Sequence, residues 1–414
     1  MHRSGCVPLV VGLWVSLVLL VMLALPLSAK THIVYMGRGD SFEKEVYDKL
    51  LADFMTPNSD IEVEMQWVAG NAPEIYERLL ITTAAGTPPD AFWAHTWSMG
   101  DLVSTHMLMP LDTFLAKEQS DLRKEYYAAS MDEFSRDGKT LGLPRESSTL
   151  VLFYNVDSFL QGGVAFPNDS WTWDSLLTAA RKLTQPSETN PKYGLLAPTG
   201  HDRNISVIWQ NGGRLLNEER TESVLSRPES VEATRWVWQL MYEWKVAAAP
   251  TVAQPSLTKG DVAMWYDIRG IARSLNDAHV NWAASLVPSG RYRYNRIASA
   301  GHGVHSQSKH AEEAFRLVKY LSGPTGIGAL AARGITVPPL RSVAREVFTQ
   351  PRDQVFYQAM EYARAEPVTP KYFDLIATKN KAFDQIWRNV APIESTLQEL
   401  DRQITALLRT AYAK

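Results

Sequence analysis

A chain of 414 residues, 45% of them hydrophobic, can bury more than one small core, so two compact units are expected. Its 42 basic residues are balanced by 45 acidic ones, and a net charge of -3 excludes a general attraction to nucleic acid or anionic membranes. A single cysteine, Cys6, excludes disulfides, zinc-thiolate sites and a thiol nucleophile from the rest of the chain.

In chain order, the N-terminus reads as an export signal. His2 and Arg3 form a short basic start, residues 7–25 are almost continuously apolar, and Pro26-Leu27-Ser28-Ala29 ends on a small residue. Cleavage is expected after Ala29, which sends the protein to the periplasm or the extracellular space. An uncleaved segment would anchor it, although the run lies near the lower length limit for a span. Cys6 precedes the apolar run where a lipoprotein cysteine would follow it, so lipidation is not expected.

Past this segment, strand-like and helix-like patterns alternate, which favours an α/β architecture with parallel sheets. Phe42, Val46, Leu50 and Phe54 recur every four residues and give a first helix one apolar face. Gly86 suits a helix C-cap, and Pro88-Pro89 cannot continue the helix. Residues 90–93 are then apolar enough for a strand covered on both faces. Open α/β sheets hold ligands beyond the carboxyl ends of their strands, which is where Trp93, His95, Thr96 and Trp97 fall. Burial in the core is the competing expectation for either tryptophan. Residues 149–154 read as another strand. Thr172 is a helix N-cap, with Trp171 and Leu176 placed as a hydrophobic staple. Trp236, Leu240 and Trp244 share a helix face and are expected in the core. Residues 381–408 read as helices whose packed stripe is Leu397, Leu400, Ile404, Leu407 and Leu408.

The order of short motifs along the chain resembles the family 1 extracellular solute-binding proteins of ABC importers, the group around maltose-binding protein. They run from Ile33-Val34-Tyr35-Met36 through Gly86-Thr87-Pro88-Pro89-Asp90, Phe153-Tyr154-Asn155, Trp209-Gln210-Asn211-Gly212-Gly213 and Lys259-Gly260-Asp261 to Ser308-Lys309-His310. The resemblance implies a two-lobed periplasmic-binding-protein fold of type II, α/β in both lobes and discontinuous in sequence. The first lobe would comprise residues 30–143 and about 299–335, the second residues 144–298 and about 336–414. Hinge crossings are expected near residues 144–148, 288–299 and 335–340. It further implies capture of a mono- or oligosaccharide between the lobes, delivery to a membrane permease with its ATPase, a monomeric state and no enzymatic activity, cofactor or metal.

A sugar needs flat rings for its apolar faces and planar polar groups for its hydroxyls. Residues 92–97 align with a Phe-Trp-Ala-His-Asp-Arg stretch in the maltose-binding members. That carries Trp93 over to the sugar site, while Thr96 and Trp97 replace a charged pair. The family's first crossing places an acidic residue at or beside Glu146. Trp209 follows the polar stretch 199–204, and Trp265, Tyr266, Asp267 and Arg269 gather at a strand end as the second-lobe candidates. Arg38 and Asp40 follow the first strand. Gly301 would allow close backbone approach, with His302 pointing into the cleft. Tyr372 belongs to the proline-framed loop 366–372.

Two other functions are open on sequence alone. Glu146 and Asp267 are candidates for the carboxylate pair of a secreted glycoside hydrolase. Arg38, Arg145, Arg203 and Arg269, if they converge, suit glycerol-3-phosphate or a glycerophosphodiester. The chain has no His-Glu-x-x-His, no Gly-x-Ser-x-Gly elbow and no phosphate or dinucleotide loop.

Overall fold

The computed structural model describes residue 2 and residues 30–334 and 337–413. Apart from His2, the segment expected to direct export lies outside the described residues, with Cys6 and the cleavage point at Ala29. So do Ile335 and Thr336 of the third expected crossing. Among the described residues no helix is long and apolar enough to cross a membrane.

The first sheet begins with β1 (Thr31–Arg38), β2 (Ile61–Val68) and β3 (Ala91–His95), and β1 lies between the other two, parallel to both. Helix α1 (Ser41–Met55) starts where Asp40 accepts the Glu43 amide at 2.8 Å, and it buries Val46, Leu50 and Phe54 as the four-residue spacing requires. Helix α2 (Ala72–Ala84) opens with a capping box of Asn71 and Glu74. It closes through a glycine in left-handed conformation, Gly86 at φ 74°, with Thr87 N bonded back to Thr82 O at 2.9 Å. The chain then enters β3, in which Ala91, Phe92, Trp93 and Ala94 are all buried.

Two long strands complete this sheet. They are β4 (Leu143–Thr149) and the ten-residue β9 (Asn295–Val304), every residue of which is buried. β9 runs antiparallel to β4 along one edge; along the other it meets β10 (Ala363–Ala365) and then β3. The first sheet therefore joins parallel and antiparallel pairs. The cause is topological, because β9 enters the first sheet from the direction opposite to β1–β3.

At Leu150 the chain passes directly from β4 into β5 (Val151–Asn155) of the second sheet. That sheet adds β6 (Tyr193–Leu195), β7 (Val262–Asp267) and β8 (Trp282–Ser285) in the order β8-β5-β7-β6. One face packs on α3 (Trp173–Leu183), α4 (His201–Gln210), α5 (Pro228–Tyr242), α8 (Tyr372–Trp387) and α9 (Ile393–Tyr412). The other face packs on residues 337–360, including Val337, Phe348 and Phe356. The first sheet is likewise covered, by α1, α6 (Ala311–Leu321) and α7 (Pro324–Ala332) on one face and by α2 on the other. Thr172 caps α3 with Trp171 and Leu176 buried beside it, and Leu397, Leu400, Ile404 and Leu408 form the buried stripe of α9. Trp236 stacks on Trp173 at 4.4 Å against the second core, as expected for a packing residue.

Candidate functional site

Beyond the carboxyl end of β3 the chain tightens into a 3-10 turn, Thr96–Ser98, capped by the His95 side chain, whose Nδ1 accepts the Trp97 amide at 3.2 Å. This turn projects Trp97 out of the first unit. Its Nε1 donates to Glu366 at 3.4 Å, and its ring meets the edges of His201 at 5.8 Å and Phe373 at 6.4 Å. Trp97 also packs against the core of the second unit.

Glu366 is the hub. It also accepts from His201 Nε2 at 2.9 Å and from the Tyr372 hydroxyl, and Arg296 Nε lies 3.7 Å away. Burial would raise its carboxyl, but His201, Arg296 and Tyr372 outweigh burial and hold it at about 2. Arg296 is shared, since its Nη2 binds Asp202 at 2.8 Å. Burial drives His95 down to about 4, helped by the Arg296 and Arg38 charges. Lys379, buried over the Phe383 ring, is lowered to about 7 by burial against the pull of Glu366 and Asp202. Glu133 is pushed up to about 8 by burial, with Ser299 and Arg296 opposing.

Several buried polar atoms on these same elements have no hydrogen-bond partner among the described residues: Asp202 Oδ1, both side-chain atoms of Asn204, and Thr369 Oγ1. Such groups cost roughly 1–3 kcal/mol each if left alone, so a ligand bearing hydroxyls would find complementary partners. His201, Asp202 and Glu366 bring ligand-type atoms within 4.8 Å of one another, a grouping a cation could accept. Arg296 already supplies positive charge there, which favours polar recognition over a metal.

Residues 36–327 match the sequence profile of the family described as bacterial extracellular solute-binding protein. The chain belongs to that family. Among curated relatives it is 23% identical to a maltotriose-binding protein of Pyrococcus abyssi over 379 residues, covering 87% of this chain and 79% of the relative. Its fold superposes on the sugar-binding protein MalE of Xanthomonas citri with a TM-score of 0.82 at 21% identity, over 92% of this chain and 98% of that one. An ABC substrate-binding protein of Listeria monocytogenes in complex with cycloalternan gives 0.80 at 22% identity, over 92% and 99% of the two chains. The fold is the two-lobed type II arrangement.

The residues singled out from the sequence of this solute-binding protein divide sharply. Trp97 and Tyr372 bond Glu366, His95 and Thr96 adjoin Trp97 in the chain, and Trp93 reaches this cluster only through His95, whose ring is 5.9 Å away. Trp93 is 1% exposed, with the Arg38 guanidinium 4.8 Å from its ring. Asp40 serves as the cap of α1. Glu146 is only partly buried and binds Arg145 at 3.0 Å. Trp209 lies apart, at the carboxyl end of α4, and lines a separate cavity.

Other candidates are turned inward. Trp265 is fully buried and stacks on Phe153 at 5.7 Å, because on β7 its face meets the helices of residues 337–360. Tyr266 points to the opposite face and is equally buried. His302 bonds Tyr47 at 3.0 Å and Ser322 at 2.8 Å inside the first lobe, where burial keeps its ring well below its ordinary value and neutral. It therefore does not point into the cleft. Gly301 serves strand packing, since a Cβ there would sit 2.3 Å from Leu143 O.

The four arginines do not gather at one point, and each has a carboxylate. Arg38 and Arg145 share Glu43, Arg38 at 3.8 Å and also over Trp93, while Arg203 is held by Asp267 at 2.8 Å and Arg269 by Asp353 at 3.1 Å. Glu146 and Asp267, the candidate carboxylate pair of a hydrolase, are thus each committed to a different arginine. The residues that the sequence reading missed are His201, Asp202, Arg296, Glu366 and Lys379. The polar stretch 199–204 and the proline-framed loop 366–372 were the available signals for three of them.

Proposed function

We propose that this protein is the extracytoplasmic capture component of an ABC importer, binding a mono- or oligosaccharide between its lobes and handing it to a membrane permease with a paired ATPase. The observation that carries this reading is Trp97, a ring from the first lobe that meets a carboxylate, an imidazole and a phenol gathered by the second. Rings and charge-assisted acceptors in one buried place are what a polyhydroxylated ring requires. The maltotriose-binding relative and the neighbour holding cycloalternan support a carbohydrate as the solute class.

In this reading residues 30–143 and about 299–335 act as one lobe and the remaining mature chain as the other. β4, β9 and the stretch after Thr336 serve as the hinge; Ser147 bridges to Val337 there. Phe42 supports closure, because its ring, at the start of α1, lies 5.3 Å from Arg273 of the second lobe. Solute touching both lobes draws the population toward the closed form by its differential affinity.

A thermal-shift panel of neutral sugars, maltooligosaccharides, polyols and glycerophosphodiesters tests the proposal, with mass spectrometry of each mixture afterwards. A sugar at a hundred times its Kd should add about 2.7 kcal/mol of stability and be recovered intact. A cleaved product, or a response confined to phosphorylated compounds, would overturn it.

A further inference from the structure

A cavity of about 390 Å3 opens at the carboxyl end of α4, and Glu366, His201 and Arg296 do not line it. Its size falls in the range of small-molecule pockets, roughly 300–1,000 Å3. Aromatic rings form much of its wall. Tyr292 and Tyr294 stack at 5.4 Å with 15° between their planes, and Tyr292 remains 50% exposed. Trp209 lines the same space, and its indole N–H makes no hydrogen bond among the described residues. Gly212, at φ 88°, keeps the space open beside the rings, since a Cβ there would meet Tyr292 at 3.2 Å.

The charges around this cavity are unbalanced. Glu218 is its lining carboxylate, and Arg214 already binds it at 2.8 Å. Arg220 and Arg364 also line it, and neither has a carboxylate partner among the described residues. The Arg364 guanidinium lies over the Tyr294 ring, 3.4 Å from its centroid. Two arginines without a carboxylate on one ring-walled cavity leave fork-shaped donors available to an anion.

We propose that this cavity is a second binding site, for a pyranose ring carrying one anionic substituent. The exposed Tyr292 ring takes the apolar face of the sugar, the guanidinium groups take the anion in bidentate hydrogen bonds, and the Trp209 N–H takes a hydroxyl. A carboxylate and a phosphate ester share this chemistry. The site is independent of the sugar capture proposed at Trp97. Glu366 faces His201, whereas its neighbours Ala365 and Pro367 line this cavity, so a short segment of chain divides the two places.

Calorimetric titration of the full protein with D-galacturonate, D-galactose 6-phosphate and D-galactose tests the assignment. One or both anions should bind at least tenfold more tightly than galactose, and the anion that binds names the substituent. Arg364→Gln should erase that preference, and Tyr292→Ala should weaken binding at least tenfold. Both residues are exposed, so neither change threatens folding. Trp97→Ala should leave anion binding intact. Equal affinity for galactose and both anions would overturn the proposal, as would anion binding that survives Arg364→Gln or is lost with Trp97→Ala.

Discussion

Replacing Glu366 with glutamine should destabilise the protein by about 3 kcal/mol at pH 7 and by less than half as much at pH 3. The carboxyl is 3% exposed and gathers His201, Trp97, Tyr372 and Arg296 around it. Its folded value of about 2 lies below an ordinary 4.5, so its ionised form stabilises the fold. A gap of about 2.5 pH units at ~1.4 kcal/mol each gives ~3.4 kcal/mol. Breaking a buried ion pair loses a similar amount, about 3–5 kcal/mol. Because the folded value is the lower one, this contribution is fully present above pH 4.5 and fades as pH falls toward 2. Glutamine does not titrate and lacks the contribution throughout, so the difference between the two proteins must close across that window. Urea midpoints and slopes measured at pH 7, 5 and 3 give the comparison. No difference at pH 7, or a difference that stays constant down to pH 3, would refute the hub role of Glu366.

Glu133 should behave in the opposite sense. Burial raises it from 4.5 to about 8, so its contribution is present below pH 4.5 and is lost as pH rises through 8. Glu133→Gln should therefore be more stable than the wild type at pH 8, by as much as ~4 kcal/mol, and differ little at pH 4; superimposable melting profiles would contradict this. Trp97→Ala should weaken carbohydrate binding by ~2 kcal/mol, about 30-fold, in titration calorimetry, and an unchanged Kd would remove Trp97 from the site. Trp265→Ala, in contrast, should lower stability by ~3–5 kcal/mol in denaturation while leaving the sugar affinity of the folded protein unchanged.

Much was legible along the chain because it depends on near neighbours. The Gly86 cap, the Pro88-Pro89 stop and the strand that follows are dictated by backbone sterics within a few residues, and they appear where the sequence puts them. Thr172 as a cap and the stripes of α1 and α9 follow in the same way from hydrogen-bond geometry and helical period. The succession of motifs indicated the family, and the Trp97 and Tyr372 segments both read as site candidates, although the Glu366 hub that joins them was not visible in the sequence.

Which face of a strand meets solvent was a different matter. Trp265 and Tyr266 alternate across β7, but both faces of that sheet are covered, so neither is free; only the packing of residues 337–360 decides that. His302 looked available in a glycine-flanked run until β9 was paired on both edges and covered by α1 and α6. Charge pairing was equally hidden: Asp267 and Arg269 are near in sequence, yet each is bound to a distant partner, Arg203 and Asp353. Glu366 and His201 stand 165 positions apart and meet at 2.9 Å. The sequence alone thus determined the elements, their caps, their apolar faces and the family, all of which rest on local sterics and periodicity. The tertiary structure decided burial, ion pairing and the hub of the site, because those depend on which distant surfaces exclude water from the same point.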